Sequence, residues 1–217
     1  MRSEILRYIG HGGEVTAQLE TLINLCQEKL ASVNDPRHVI RQFPCTVTND
    51  GVTIDTLNIK SKGLAIHLNN CTQVYLLAAT LGADVDRLIT QRSKIDNAEA
   101  LCIQACAAAQ IEDYCSSIEG EVSHKIRESG LYPRYRFSPG YSDFDISTQT
   151  EILNILQTHK IIGLTETKSH MLTPLKSITA IIGVSPTEAF CTPNKCETCD
   201  KPNCNFRQRE GFSCLKN

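Results

Sequence analysis

Val74-Tyr75-Leu76-Leu77-Ala78-Ala79 is the longest wholly apolar run in the chain, at six residues. Six is strand length, so the run reads as a buried strand, and the segments around it decide the class of fold. Upstream, Asn49-Asp50-Gly51 is a hairpin signal between Thr46-Val47-Thr48 and Val52-Thr53-Ile54. Leu57 to Ile59 and Leu64 to Leu68 read as further strands, joined around Ser61-Lys62-Gly63. Downstream, Ile161-Ile162 and Ile178 to Val184 are apolar and β-branched, hence strands. Helical spacing alternates with these runs. Val15, Leu19, Leu22, Ile23, Cys26 and Leu30 form one stripe, which Asn34-Asp35-Pro36 ends. Leu81-Gly82 opens a second helical region with Val85, Leu88 and Ile89 on its apolar face. Asp96, with Glu99 three residues on, predicts a capping box for a helix running to about Arg127. Its stripe holds Leu101, Cys102, Ala105, Ala108, Ala109, Cys115, Ile118 and Val122, and the alanines admit a close neighbour, which makes this helix central. Gly130 and Pro133 break it, and Ser147 begins another helix carrying Ile152, Ile155 and Leu156. The fold class expected is α+β, with a mixed, largely antiparallel sheet packed against long helices.

The 217 residues are 41% hydrophobic and 21% charged, enough for a folded core without disulfide staples. Basic and acidic residues number 22 and 24, so the net charge of -2 gives no reason to expect binding to nucleic acid or to an anionic membrane. A six-residue apolar run falls far short of the ~20 residues of a bilayer span. Met1-Arg2-Ser3-Glu4 opens into mixed sequence and not into a signal peptide, so a cytoplasmic protein is expected. Residues 1–190 read as one body and 191–217 as a cysteine-rich tail.

Cysteine is the compositional anomaly, at 11 residues. In the tail, Cys191, Cys196, Cys199, Cys204 and Cys214 are separated by turn formers such as Pro193, Asn194, Lys201, Pro202 and Asn203. Four thiolates satisfy tetrahedral zinc, and the first three also match the Cys-x4-Cys-x2-Cys spacing of plant-type iron–sulfur proteins. The spacing does not choose between zinc, a cluster and reduced or redox-active thiols. A metal- or cluster-containing electron-transfer module is therefore the second functional reading. Cys26, Cys102, Cys106 and Cys115 fall in apolar surroundings, where cysteine packs as a small hydrophobe. The six histidines show no paired ligand spacing.

The most informative stretch for function is Arg136-Phe137-Ser138-Pro139-Gly140-Tyr141. Pro139 fixes its own φ and Gly140 permits a sharp turn open to close approach. An arginine three residues before the proline can present a bidentate fork to a carboxylate. A tyrosine after the glycine can set its ring beside a cation or a flat ring. These groups suit a zwitterionic, aromatic small molecule, although an ordinary Pro-Gly turn with a surface arginine satisfies the residues equally.

Arg-x-x-Pro-Gly-Tyr resembles the S-adenosylmethionine-binding signature of the activation (reactivation) domain of cobalamin-dependent methionine synthase, in its free-standing form. Glu4 to Gly10 resembles the opening of such proteins, Ala78 to Gly82 with Val85 to Leu88 their middle, and Leu164-Thr165-Glu166 with Lys176-Ser177 the part after the loop. The resemblance implies a mixed α+β fold with S-adenosylmethionine in a shallow groove. It implies that Arg136 meets the ligand's methionine carboxylate, that Ser138 and Gly140 contact it through their backbone, and that Tyr141 is the motif tyrosine. Glu112 matches an acidic residue on the family's long helix, where a carboxylate can attract the sulfonium or hold the amino group. The chemistry implied is methyl transfer to cobalamin carried by a partner, a methionine synthase or related corrinoid protein. Electrons would come from a donor such as a flavodoxin or ferredoxin. The chain would then be an accessory activation component, with positioning as its task. A sensor that binds the ligand without chemistry is a third reading.

Overall fold

A computed structural model describes residues 1–188. The tail cysteines Cys191, Cys196, Cys199, Cys204 and Cys214 lie outside the described residues. The apolar run is the centre of the sheet. It lies in β4 (Gln73–Thr80), flanked by β1 (Arg37–Val47) and β8 (Ser177–Ser185). The strand order is β3-β2-β1-β4-β8-β5, with β2 at Gly51–Ile54, β3 at Leu57–Lys60 and β5 at Tyr132–Pro133. Every pairing among these described strands is antiparallel. A separate two-stranded ribbon joins β6 (Thr165–Glu166) to β7 (Leu172–Thr173).

β4 is apolar from Val74 to Ala79 because both faces of the sheet are covered. Leu77 and Ala79, with Ile182 and Val184 of β8, pack in one core with α1 (Arg2–Ile9), α2 (Ala17–Ala31), α4 (Ala83–Ser93) and α5 (Asn97–Glu128). Val74, Leu76 and Ala78 face a second core built from the β2–β3 hairpin, α3 (Lys62–His67), Phe144 and α6 (Gln149–Leu156). Alternation along β4 thus sends successive side chains into different hydrophobic layers. A short α7 (Thr158–Ile161) follows α6.

The 32-residue α5 is the central helix, as its alanines predict. Asp96 caps it, accepting from the N–H groups of Ala98 and Glu99 at 2.9 and 3.1 Å. The reciprocal half of the capping box does not form, because the Glu99 carboxylate pairs with Lys29 of α2 and with Arg92. Buried in α5 are Cys102, Ala105, Cys106, Ala109, Cys115, Ile118 and Val122, whereas Leu101 is 53% exposed, one helical step off the stripe.

Two sequence expectations are corrected. Leu64–Leu68 is not a strand: Ser61 accepts from Leu64 N–H at 3.0 Å and starts α3, a local cap that outweighs the apolar pattern. Ile161-Ile162 closes α7 and is not a strand, with Ile162 N–H donating back to the Thr158 carbonyl at 2.9 Å. The opening segment, to which the sequence assigns no element, forms helix α1, ended by Gly10 in the left-handed conformation at φ 77°. No helix among the described residues is long and apolar enough to cross a membrane.

Candidate functional site

The Arg136 loop is built on the edge of the sheet. Tyr132 and Pro133 pair with Ser185 and Val184 of β8, and Arg134 N–H donates to the Gly183 carbonyl at 2.8 Å. Phe137 then exchanges two hydrogen bonds with Ile181, at 2.9 and 2.8 Å. Tyr135 and Arg136 therefore stand opposite the single residue Ile182, which is a β-bulge. The extra residue re-aims the chain so that Arg136 faces α5. Arg134, two residues earlier, is buried, and its guanidinium donates to the carbonyls of Thr187 and Asn69.

After Phe137 the chain turns sharply. Tyr141 N–H donates to the Ser138 carbonyl at 3.3 Å across Pro139 and Gly140, and Gly140 has φ 90°. Proline followed by a positive-φ glycine is the signature of a type II turn. Gly140 N–H donates to the Phe144 carbonyl at 2.7 Å, and Phe144 N–H to the Tyr141 carbonyl at 2.9 Å. Phe144 is buried and Phe137 stacks near it, with ring centroids 6.2 Å apart; the Tyr141 ring stands edge-on to Phe137 at 6.1 Å. The turn is thus held from below by aromatic packing, and Tyr141 remains 46% exposed at its rim.

A second clamp comes from Asp143. Its carboxylate accepts from Ser61 Oγ at 2.6 Å, from Lys62 N–H at 2.7 Å and from Gly63 N–H at 2.9 Å. These bonds hold its pKa down to about 2, with Ser61 the largest contributor. They tie the loop to the first turn of α3.

The charged centre of the site lies between loop and helix. Arg136 Nη2 donates to Glu112 Oε2 at 2.7 Å, and Nη1 donates to Glu119 Oε2 at 2.5 Å and to Ser116 Oγ at 3.2 Å. Glu119 Oε1 also accepts the backbone N–H of Arg136 at 2.8 Å. Glu112, Ser116 and Glu119 are spaced i, i+4, i+7, so they share one face of α5. Burial pulls the Arg136 pKa down, but Glu119 and Glu112 outweigh it and hold the group above its ordinary value. Partial burial and the Glu112 charge push the Tyr141 phenol up, against the pull of Arg136. Burial and Glu112 act the same way on Tyr8 of α1, so Glu112 is within electrostatic reach of both tyrosines. Cys115, next to this face, is fully buried, and its thiol is pushed up to about 12 by burial.

All five loop and helix residues singled out in the sequence, Glu112, Arg136, Ser138, Gly140 and Tyr141, meet in this region. Sequence reasoning missed Glu119, Ser116 and Asp143. The i+7 spacing from Glu112 is the signal that finds Glu119; Asp143 carries none, since its partners lie some eighty residues away in the chain. Two open clefts lie elsewhere, one between the β2–β3 turn and α6 lined by Thr56, Asn58 and Glu151, the other beside β6. Neither includes a residue of the Arg136 loop. The described residues contain no cluster of three or more histidine, cysteine or acidic side chains able to hold a metal ion.

The molecule is thus an α+β fold, an antiparallel sheet covered by a long central helix, with an Arg-x-x-Pro-Gly-Tyr turn at the edge of the sheet. Among solved structures, the crystal structure of the MetH reactivation domain bound to AdoHcy is similar to this chain, with a TM-score of 0.64 and 17% sequence identity over 86% of this chain and 70% of that chain. The expected fold is the one observed. No family model matches the sequence, and no curated protein does.

Proposed function

We propose that this chain binds S-adenosylmethionine at the Arg136–Tyr141 turn and supports reductive methylation of cobalamin on a partner methionine synthase or related corrinoid protein. The observation that carries the reading is the Arg136 guanidinium, positioned between Glu112 and Glu119 beside the exposed ring of Tyr141. One guanidinium against two carboxylates leaves a local charge of -1. The ligand has one carboxylate, one ammonium and one sulfonium, a net charge of +1. The pair attracts by about 1 kcal/mol at ~4 Å in a water-like dielectric, and more where the site is dry. The neutral thioether left after methyl transfer loses that attraction, which favours release. Ser138 and Gly140 lie in the turn that would meet the ligand, with Gly140 exposed, and Tyr141 offers a flat face to the adenine or the sulfonium.

The partner's reduced cobalt supplies the nucleophile for the methyl group. The chain's own task is to hold the sulfonium so that its methyl points outward and no residue of its own accepts it. Cys115 is the thiol beside the charged face, and burial keeps it protonated and hence a poor nucleophile. An external reductant such as a flavodoxin or ferredoxin would supply the electron.

Calorimetry with S-adenosylmethionine tests the reading directly. Binding is expected for the wild type and a loss of at least tenfold for Tyr141→Ala, a substitution at an exposed ring that leaves the ion pairs intact. Absence of binding by the wild type sinks the reading. Methyl transfer to cobalamin under reducing conditions then separates reactivation from sensing.

A further inference from the structure

The two carboxylates on Arg136 are not equivalent. Glu119 uses both oxygens on the same residue, Oε1 on the Arg136 backbone N–H and Oε2 on Nη1, and its side chain is 13% exposed. It therefore fixes the main chain of the bulge as well as the guanidinium. Glu112 meets Nη2 through Oε2, and its side chain is 40% exposed. Ser116 Oγ sits between them, accepting from Nη1 and donating to the Glu112 carbonyl at 2.9 Å.

We propose that Glu119 is a permanent positioning residue for Arg136 and that Glu112 is a placeholder, displaced from Nη2 by the carboxylate of an incoming amino-acid ligand and then turning to that ligand's ammonium. This rests on the binding reading above and assigns the order of contacts within it. The exchange swaps one carboxylate for another on the same guanidinium arm, so Nη2 keeps a charged partner while Glu119 holds Nη1. The ligand's carboxylate and ammonium share one carbon. A group that takes the first from Arg136 therefore brings the second beside the side chain just released. Glu119 cannot serve as placeholder, because its departure would also free the main-chain N–H of the bulge.

The test is calorimetry on the full chain with three probes: S-adenosylhomocysteine, its deaminated analogue, which keeps only the carboxylate, and methylthioadenosine, which has neither group. Glu112→Gln removes the competitor for Nη2. It is expected to tighten the deaminated probe by about threefold or more and to weaken S-adenosylhomocysteine by about as much. Glu119→Gln is expected to weaken both carboxylate probes by about tenfold or more and to leave methylthioadenosine within about twofold. Glu112→Gln weakening both carboxylate probes alike, or changing neither, overturns the exchange. Glu119→Gln weakening all three probes alike marks a purely structural role and overturns its assignment. Where Glu119→Gln does not fold, Glu119→Asp replaces it with the same criteria. Wild-type protein that binds neither these probes nor S-adenosylmethionine overturns the ligand reading and the exchange with it. Wild-type binding without the opposed response to Glu112→Gln overturns the exchange alone.

Discussion

Arg136 is gripped from two sides, so its loss leaves Glu119 and Glu112 on one helix face with no cation between them. Removing one member of a mostly buried pair costs about 3 kcal/mol, at the low end of the range because Glu112 is partly exposed. Arg136→Ala is therefore expected to lower the unfolding free energy by about that amount in denaturant titrations, which is why Tyr141→Ala is the cleaner probe of binding. Asp143 gives a second residue-scale test. Its folded pKa of about 2 lies below the ordinary 3.8, so its contribution is complete above about pH 4 and is lost as pH falls toward 2. Asp143→Asn should lower the melting temperature at pH 7, and the difference from wild type should shrink as pH falls from about 4 through 2. A constant difference across that range would remove the carboxylate clamp. At this scale the sequence showed Arg136, Gly140 and Tyr141 because their chemistry lies in consecutive residues. Asp143 was hidden because its three hydrogen-bond donors come from a distant helix start.

Elements were legible where one force dominates. The apolar runs of β4 and β8 and the Asp96 cap of α5 each rest on local residues that agree with the packing around them. Leu64–Leu68 was misread because a short apolar run suits a strand or a buried helical turn equally, and the Ser61 hydroxyl and Asp143 carboxylate decide between them. Gly183 of β8 shows how tightly the elements meet. A Cβ there would lie 2.6 Å from Leu68 Cδ2, 2.8 Å from Cys71 Sγ and 3.0 Å from Arg134 Cγ. Gly183→Ala should destabilise the protein by about 1–3 kcal/mol through overpacking, read as a lower denaturation midpoint with an unchanged slope. An unaltered midpoint would mean that α3 and the β5 edge yield without cost.

Across the whole molecule, the sheet is buried on both faces and α5 joins α1, α2 and α4 to it. Hydrogen exchange should therefore be slowest in β4, β8 and the Ala105–Ile118 part of α5, and clearly faster in α1, whose one fully buried residue is Ile5. Uniform protection of α1 and α5 would contradict this order. The buried thiols belong to the same scale. Cys26, Cys102, Cys106 and Cys115 fill the helical layer as the sequence suggested, and burial pushes Cys115 up to about 12.

The two-for-one step opposite Ile182 carries a consequence for how the motif can be moved. Strand side chains alternate, so the direction of Arg136 depends on how many residues separate it from the last paired position, not on which residues they are. A chain shortened by one residue at Tyr135 would retain every letter from Arg136 to Tyr141 and still swing the guanidinium away from α5. Grafting the hexapeptide onto another hairpin would transfer its spelling without its aim.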